Sequence, residues 1–97
     1  MNRDIVLDLL REHKTNLAQR FGVTEITLFG SIARDQARDD SDVDILVRFE
    51  GTPHWQQYFD TQFYLEDLLG RQVDLATYKD LRPEIRPYVD KEAINVW

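Results

Sequence analysis

The sequence predicts a mixed α/β (α+β) domain, a small sheet flanked by helices, with residues 1–97 forming one domain. Two observations lead there. Segments with helical and with strand-like patterning alternate in the order α β α β α β α, without repeats or low-complexity stretches. Glycines at 22, 51 and 70 fall between those segments, where turns and helix ends are expected.

Each element has its own local reason. Residues 3–20 place Ile5, Val6, Leu9, Leu10 and Leu17 at helical spacing, which predicts one amphipathic helix ended by Gly22. Glu25 to Phe29 is rich in strand formers and gives the first strand. Ser31 to Ala37 reads as a short helix, and Arg38 to Ser41 as a polar loop whose Asp39 and Asp40 are solvated. Ser41 is expected to turn or cap the chain before the next strand. Val43 to Phe49 is apolar enough for a central strand. Gly51-Thr52-Pro53 reads as a turn, with Thr52 or Pro53 opening a helix over 54–69. Gln72 to Thr77 gives the third strand. Leu81 to Asp90 predicts a short helix, with Pro83 near its first turn and Pro87 bending or interrupting it. Ile94 to Trp97 adds a short strand or a final turn.

The chemistry concentrates in two places. Gly30-Ser31 follows the first strand, and Asp42-Val43-Asp44 comes ten residues after it. Glycine lets the backbone turn tightly and approach a ligand, and serine can cap the following helix. A helix start offers free N–H groups, which suits phosphate oxygens. Asp42 and Asp44 are expected on one face of the second strand, Cα atoms roughly 6.5 Å apart. Two such carboxylates can share a pair of Mg²⁺ ions about 3.5–4 Å apart. Asp74, in Val73-Asp74-Leu75, is either an edge-strand acid facing water or a third carboxylate beside that pair, and the Asp-x-Asp signal favours the second. Arg34 lies one turn after Ser31, placed for a surface salt bridge with Asp35 or Asp39, or for a phosphate or partner contact.

These residues carry a resemblance. Gly30-Ser31, ten residues, Asp42-x-Asp44 resembles the signature of the DNA polymerase β-like nucleotidyltransferase superfamily. The fuller string Gly-Ser-x-Ala-Arg followed by Ser-Asp-x-Asp is similar to its minimal nucleotidyltransferase (MNT) branch, over nearly the whole chain. One departure is Asp35, where the family usually has glycine after the Ala-Arg pair. The resemblance implies the polymerase β-like fold, with Asp42, Asp44 and Asp74 as catalytic and metal-binding acids. It implies Gly30, Ser31 and Arg34 at the nucleotide, with ATP as donor and two Mg²⁺ ions, or Mn²⁺, as cofactors. It further implies an antitoxin that transfers AMP to a tyrosine of a HEPN ribonuclease toxin, in a hetero-oligomer with it. Two other readings stand beside this one: an antitoxin that masks its toxin by binding alone, and transfer to a small molecule such as an aminoglycoside. The second is disfavoured because the chain has no room for an acceptor-holding domain.

Bulk properties narrow the field. The formal net charge of −6 argues against binding nucleic acid through a whole face and suits a more basic protein partner. The absence of cysteine excludes disulfides, thiolate zinc sites and a cysteine nucleophile. No apolar run reaches membrane-helix length and no signal-peptide pattern opens the chain, so the expected place is the cytoplasm, without membrane contact. His13 sits on the apolar stripe of the first helix and is expected to be packed or hydrogen-bonded, and His54 to be exposed. Helix 54–69 holds more aromatics than one face needs, among them Trp55, Phe59, Phe63 and Tyr64. They either wrap a small core or form an interface.

Overall fold

The leading helical segment is two helices, not one. In the computed structural model, which describes residues 2–38 and 41–97, α1 spans Arg3–Glu12 and α2 spans Lys14–Phe21. Asn2 caps α1 by accepting a hydrogen bond from the Ile5 amide at 2.9 Å. The break falls at His13, whose ring Nδ1 shares a hydrogen bond with the Tyr64 hydroxyl at 2.5 Å. His13 is thus tied to a distant element, as its place on the apolar stripe suggested. Asp39 and Asp40 lie outside the described residues.

Strand β1 runs Val23–Phe29, starting two residues earlier than its composition suggests, because Val23 pairs with Phe49 across an irregularity in the ladder. Helix α3 is a single turn, Gly30–Ala33, and does not reach Ala37. Strand β2 is Val43–Phe49 and α4 is Trp55–Leu69, with His54 rather than Thr52 or Pro53 at its N-cap. Gly70 closes α4 in the left-handed cap conformation. Strand β3 is Val73–Thr77, followed by a 3₁₀ turn at Tyr78–Asp80. The last helix, α5, covers Arg86–Glu92 instead of 81–90. Pro87 has no N–H to give, so it sits in the first turn of α5 and opens the helix instead of bending it. Ile94–Asn95 forms the short strand β4.

The sheet order is β3-β2-β1-β4. β1 is antiparallel to both β2 and β4, while β2 and β3 are parallel and joined through α4. Its two faces differ in kind. Ile26, Leu28, Ile45 and Val47 are fully buried and form one core with Val6, Leu10, Leu17 and Leu65 from α1, α2 and α4. Burying each such side chain contributes about 1.5–3 kcal/mol, so this layer holds the fold together. On the other face Leu46 is also buried but stands outside that core. There the Tyr78 hydroxyl meets Thr27 Oγ1 at 3.1 Å, and the Arg48 guanidinium lies 4.0 Å above the Tyr78 ring while pairing with Glu25 at 2.7 Å. One face is the packing face; the other is a polar floor.

Candidate active site

The polar floor ends in a row of three register partners. Phe29 of β1 lies opposite Asp44 of β2, and Asp44 lies opposite Asp74 of β3. Register partners on neighbouring strands share a face and sit about 4.8 Å apart, so the two acids stand side by side. Asp74 lies on the edge strand β3 and is exposed to water, and it also stands beside Asp44, so features of both readings are present. Asp42 falls one residue before β2, not on it, and is exposed. It approaches the pair from the loop.

Crowding shows in the chemistry of Asp44. Its pKa is pushed up from 3.8 to about 6, first by burial, then by the charges of Asp74 and Asp42 and by a hydrogen bond between the Asp44 and Asp74 carboxyl groups; Arg34 pulls the other way. Behind Asp44 lies Gly30, with φ +75. A Cβ at Gly30 would stand 2.8 Å from the Asp44 Cγ and closer still to its Oδ2. Glycine is needed there twice over, for a backbone angle other residues avoid and for the space the carboxylate fills.

Ser31 does not cap α3. Phe29 holds the N-cap position and no side chain caps the helix, so the Ser31 hydroxyl is not used that way. With one turn only, α3 offers unpaired N–H groups at its start but little dipole. Arg34, at the end of that turn, pairs with Glu92 of α5 at 3.0 Å and donates to Gln36 Oε1 at 3.3 Å. Among the described residues its ion pair is with Glu92, 58 residues away in sequence. Asp35 adopts φ +58, a conformation natural to glycine and tolerated by aspartate.

Four further residues brace the chain beside the acids. Arg71 donates from Nη1 to the carbonyls of Arg38 at 3.1 Å and Ser41 at 3.3 Å, pinning the loop that leads to Asp42. Ser41 Oγ accepts from the Arg38 amide at 2.8 Å, the turn its type suggested. On α4, Glu66 accepts from the Val73 amide at 3.0 Å and Gln62 donates to the Val73 carbonyl at 3.0 Å, so the residue beside Asp74 is held on both sides. Nothing local marks these long-range contacts in the sequence.

A hard divalent cation fits the donor set in part. Among the described residues, no group of three or more Asp, Glu, His or Cys side chains is disposed to hold a metal ion by itself. The Asp44–Asp74 pair, with Asp42 at the mouth, could supply part of a shell for Mg²⁺ that phosphates and water would complete. Such an ion would neutralise the pair's mutual repulsion. A cleft of about 660 Å³ lies away from these acids, at the far ends of β2 and β3, bordered by Phe49, Trp55, Tyr58 and Tyr78.

A mixed sheet that sets a Gly-Ser turn against a pair of register-matched acids is the framework of a nucleotidyltransferase. Residues 10–96 match the model of the nucleotidyltransferase domain family. The chain belongs to that family, in its minimal branch. It is 46% identical over 88 residues to the protein adenylyltransferase MntA of Thermococcus cleftensis, covering 91% of this chain and 89% of that one. A solved minimal nucleotidyltransferase is 38% identical, with TM-score 0.79 over 97% of this chain and 95% of the other. The fold alone is shared with the MNT antitoxin complex of a tri-AMPylated Shewanella oneidensis HEPN toxin: 20% identity, TM-score 0.66, covering 94% of this chain and 71% of that one. No helix of the described residues is long and apolar enough to cross a membrane.

Proposed function

We propose that this protein is a cytoplasmic antitoxin that transfers AMP from ATP to a tyrosine of a HEPN ribonuclease toxin and thereby silences it. The observation that carries the proposal is the pairing of Asp44 with Asp74 in register, backed by Gly30. Holding two repelling carboxylates together is a standing cost to stability, and a purely masking protein gains nothing from it. The adenylyltransferase name of its 46%-identical relative supports the donor, and the HEPN complex of its structural neighbour supports the acceptor.

Asp44 and Asp74, with Asp42, would hold Mg²⁺, which when bound neutralises charge on the triphosphate and on the attacking oxygen. The start of the Gly30-Ser31 turn would take the outgoing phosphates on its free amides and the Ser31 hydroxyl. Arg34, held by Gln36 and Glu92 beside Asp44, would add a fixed positive charge. Asp74 is the more exposed of the paired acids and is placed to take the proton of the incoming tyrosine hydroxyl. The tyrosine oxygen bonds to the α-phosphorus, the α–β bridge breaks, and pyrophosphate leaves. Catalysis would rest on positioning and charge neutralisation.

The test is intact mass of a HEPN partner incubated with the protein, ATP and Mg²⁺. Mass should rise in steps of one AMP, with pyrophosphate released. Asp42→Ala with Asp44→Ala should abolish the increment while leaving the complex intact. A double variant that protects cells from the toxin as well as wild type would establish masking as the mechanism instead.

A further inference from the structure

The aromatic surplus of α4 resolves into two sets. Tyr64 is packed, edge-on to Phe21 and bonded to His13, and Tyr58 donates its hydroxyl to the Leu75 carbonyl. Trp55, Phe59 and Phe63 stay exposed, at 72%, 43% and 59%. Their four-residue spacing makes them one row along the outer side of the helix, about 12 Å from end to end. A contiguous row of large apolar side chains left in water is the kind of patch that a partner can cover.

Two observations define its occupant. The 660 Å³ cleft opens where the row begins, between Trp55, Phe59 and the Tyr78–Asp80 turn, and is wide enough for a bulky side chain. All of α4 lacks Lys and Arg, while Asp60, Glu66 and Asp67 lie along it. A second copy would bring the same acids against each other and join two chains of net charge −6. We propose that this row and cleft dock a basic amphipathic helix of a partner protein, its apolar side chains on Trp55, Phe59 and Phe63 and its Lys or Arg beside Asp60 and Asp67. α4 belongs to the packing side of the sheet, and Asp44 and Asp74 to the other. The exposed row is therefore on the side away from the acids, while the cleft, lined also by Arg48 and Tyr78, reaches the polar floor. That this partner is also the acceptor rests on the proposed function; the surface itself does not.

Two probes test it. The first is an 18-residue Leu/Lys amphipathic peptide, titrated while following the emission of Trp55 in a Trp97→Phe background. The peptide should shift the emission. A scrambled peptide of equal composition, and the variants Phe63→Ser and Asp60→Lys/Asp67→Lys, should each bind at least tenfold more weakly. Phe63 and Asp67 are exposed and Asp60 is partly so, and unchanged circular dichroism and melting confirm that the variants fold. Equal binding of ordered and scrambled peptides, or by the variants, overturns the proposal. So does a wild-type dimer in sedimentation that Phe63→Ser dissociates, since the occupant is then a second copy. The second probe is the HEPN chain. The α4 variants should raise its KM for AMP transfer about tenfold, with kcat and ATP affinity unchanged; an unchanged KM overturns the proposal. If the peptide binds as expected and wild type neither binds nor modifies the HEPN chain, the proposed function falls and the docking surface stands.

Discussion

Asp44→Asn should make the metal-free domain more stable at neutral pH and remove its response to Mg²⁺ and ATP. The folded protein holds the Asp44 proton up to about pH 6, while the unfolded chain releases it near 3.8. Below both values Asp44 is protonated in each state and contributes no difference. Between them the unfolded chain binds fewer protons, so stability falls as pH rises. Above about 6 the full penalty applies; 1.36 kcal/mol per pKa unit sets about 3 kcal/mol as its ceiling, and solvent screening of this half-buried carboxyl brings it down to roughly 1–2 kcal/mol. Asparagine resembles the protonated acid: it is neutral and can still donate to Asp74. The variant should nearly match wild type close to pH 4 and exceed it by roughly 1–2 kcal/mol at pH 7.5, or about 5–15 °C in melting temperature for a domain this small. The assay is urea and thermal melting in EDTA across that range. Adding Mg²⁺ and ATP should then stabilise wild type by binding only its folded state, and the variant far less. Stability curves for the two proteins that run parallel from pH 4 to 7.5 would refute the reasoning, because burial and crowding of Asp44 would then have no energetic consequence.

Other expectations follow from single contacts. Gly30→Ala should drive the Asp44 carboxylate out of its place and destabilise the fold by at least about 2 kcal/mol in urea melts, with loss of the Mg²⁺–ATP response. Asp35→Gly should stabilise by roughly 0.5–1 kcal/mol in the same melts, since it relieves a positive φ and gives up only a long 3.5 Å bond from the Arg3 amide. Arg71→Met should cost about 1–2 kcal/mol by releasing two carbonyls, and hydrogen exchange should speed up around residues 41 and 42.

Much of this domain could be read from its sequence because its strands are locally self-evident. β2 and β3 are short apolar runs, each interrupted by one acid, and an acid between core residues can only face away from the core. That made Asp44 and Asp74 legible together. The expected bounds of the second strand, Val43 to Phe49, are those of β2, so setting Asp42 on one strand face with Asp44 carried the alternation one residue past the strand's start. The break at His13 was hidden for a related reason. Leu10 and Leu17 keep the apolar stripe continuous, and the bond from His13 to Tyr64 spans 51 residues. Pro83 and Pro87 offered two possible helix starts, and tertiary packing of Val89 fixed the later one. Arg71, Gln62 and Glu66 act through backbone carbonyls and amides that no side-chain pattern announces.

The register that places Phe29, Asp44 and Asp74 in a row also guards the route to the native state. A strand shifted by one residue would turn Asp44 or Asp74 inward among Ile26, Leu28 and Leu65, and would bring Leu46 out of shelter. Burying an unpaired carboxylate there costs more than a domain of this size can spare. Register-shifted packings are thereby disfavoured by the very side chains that line the row in the native sheet.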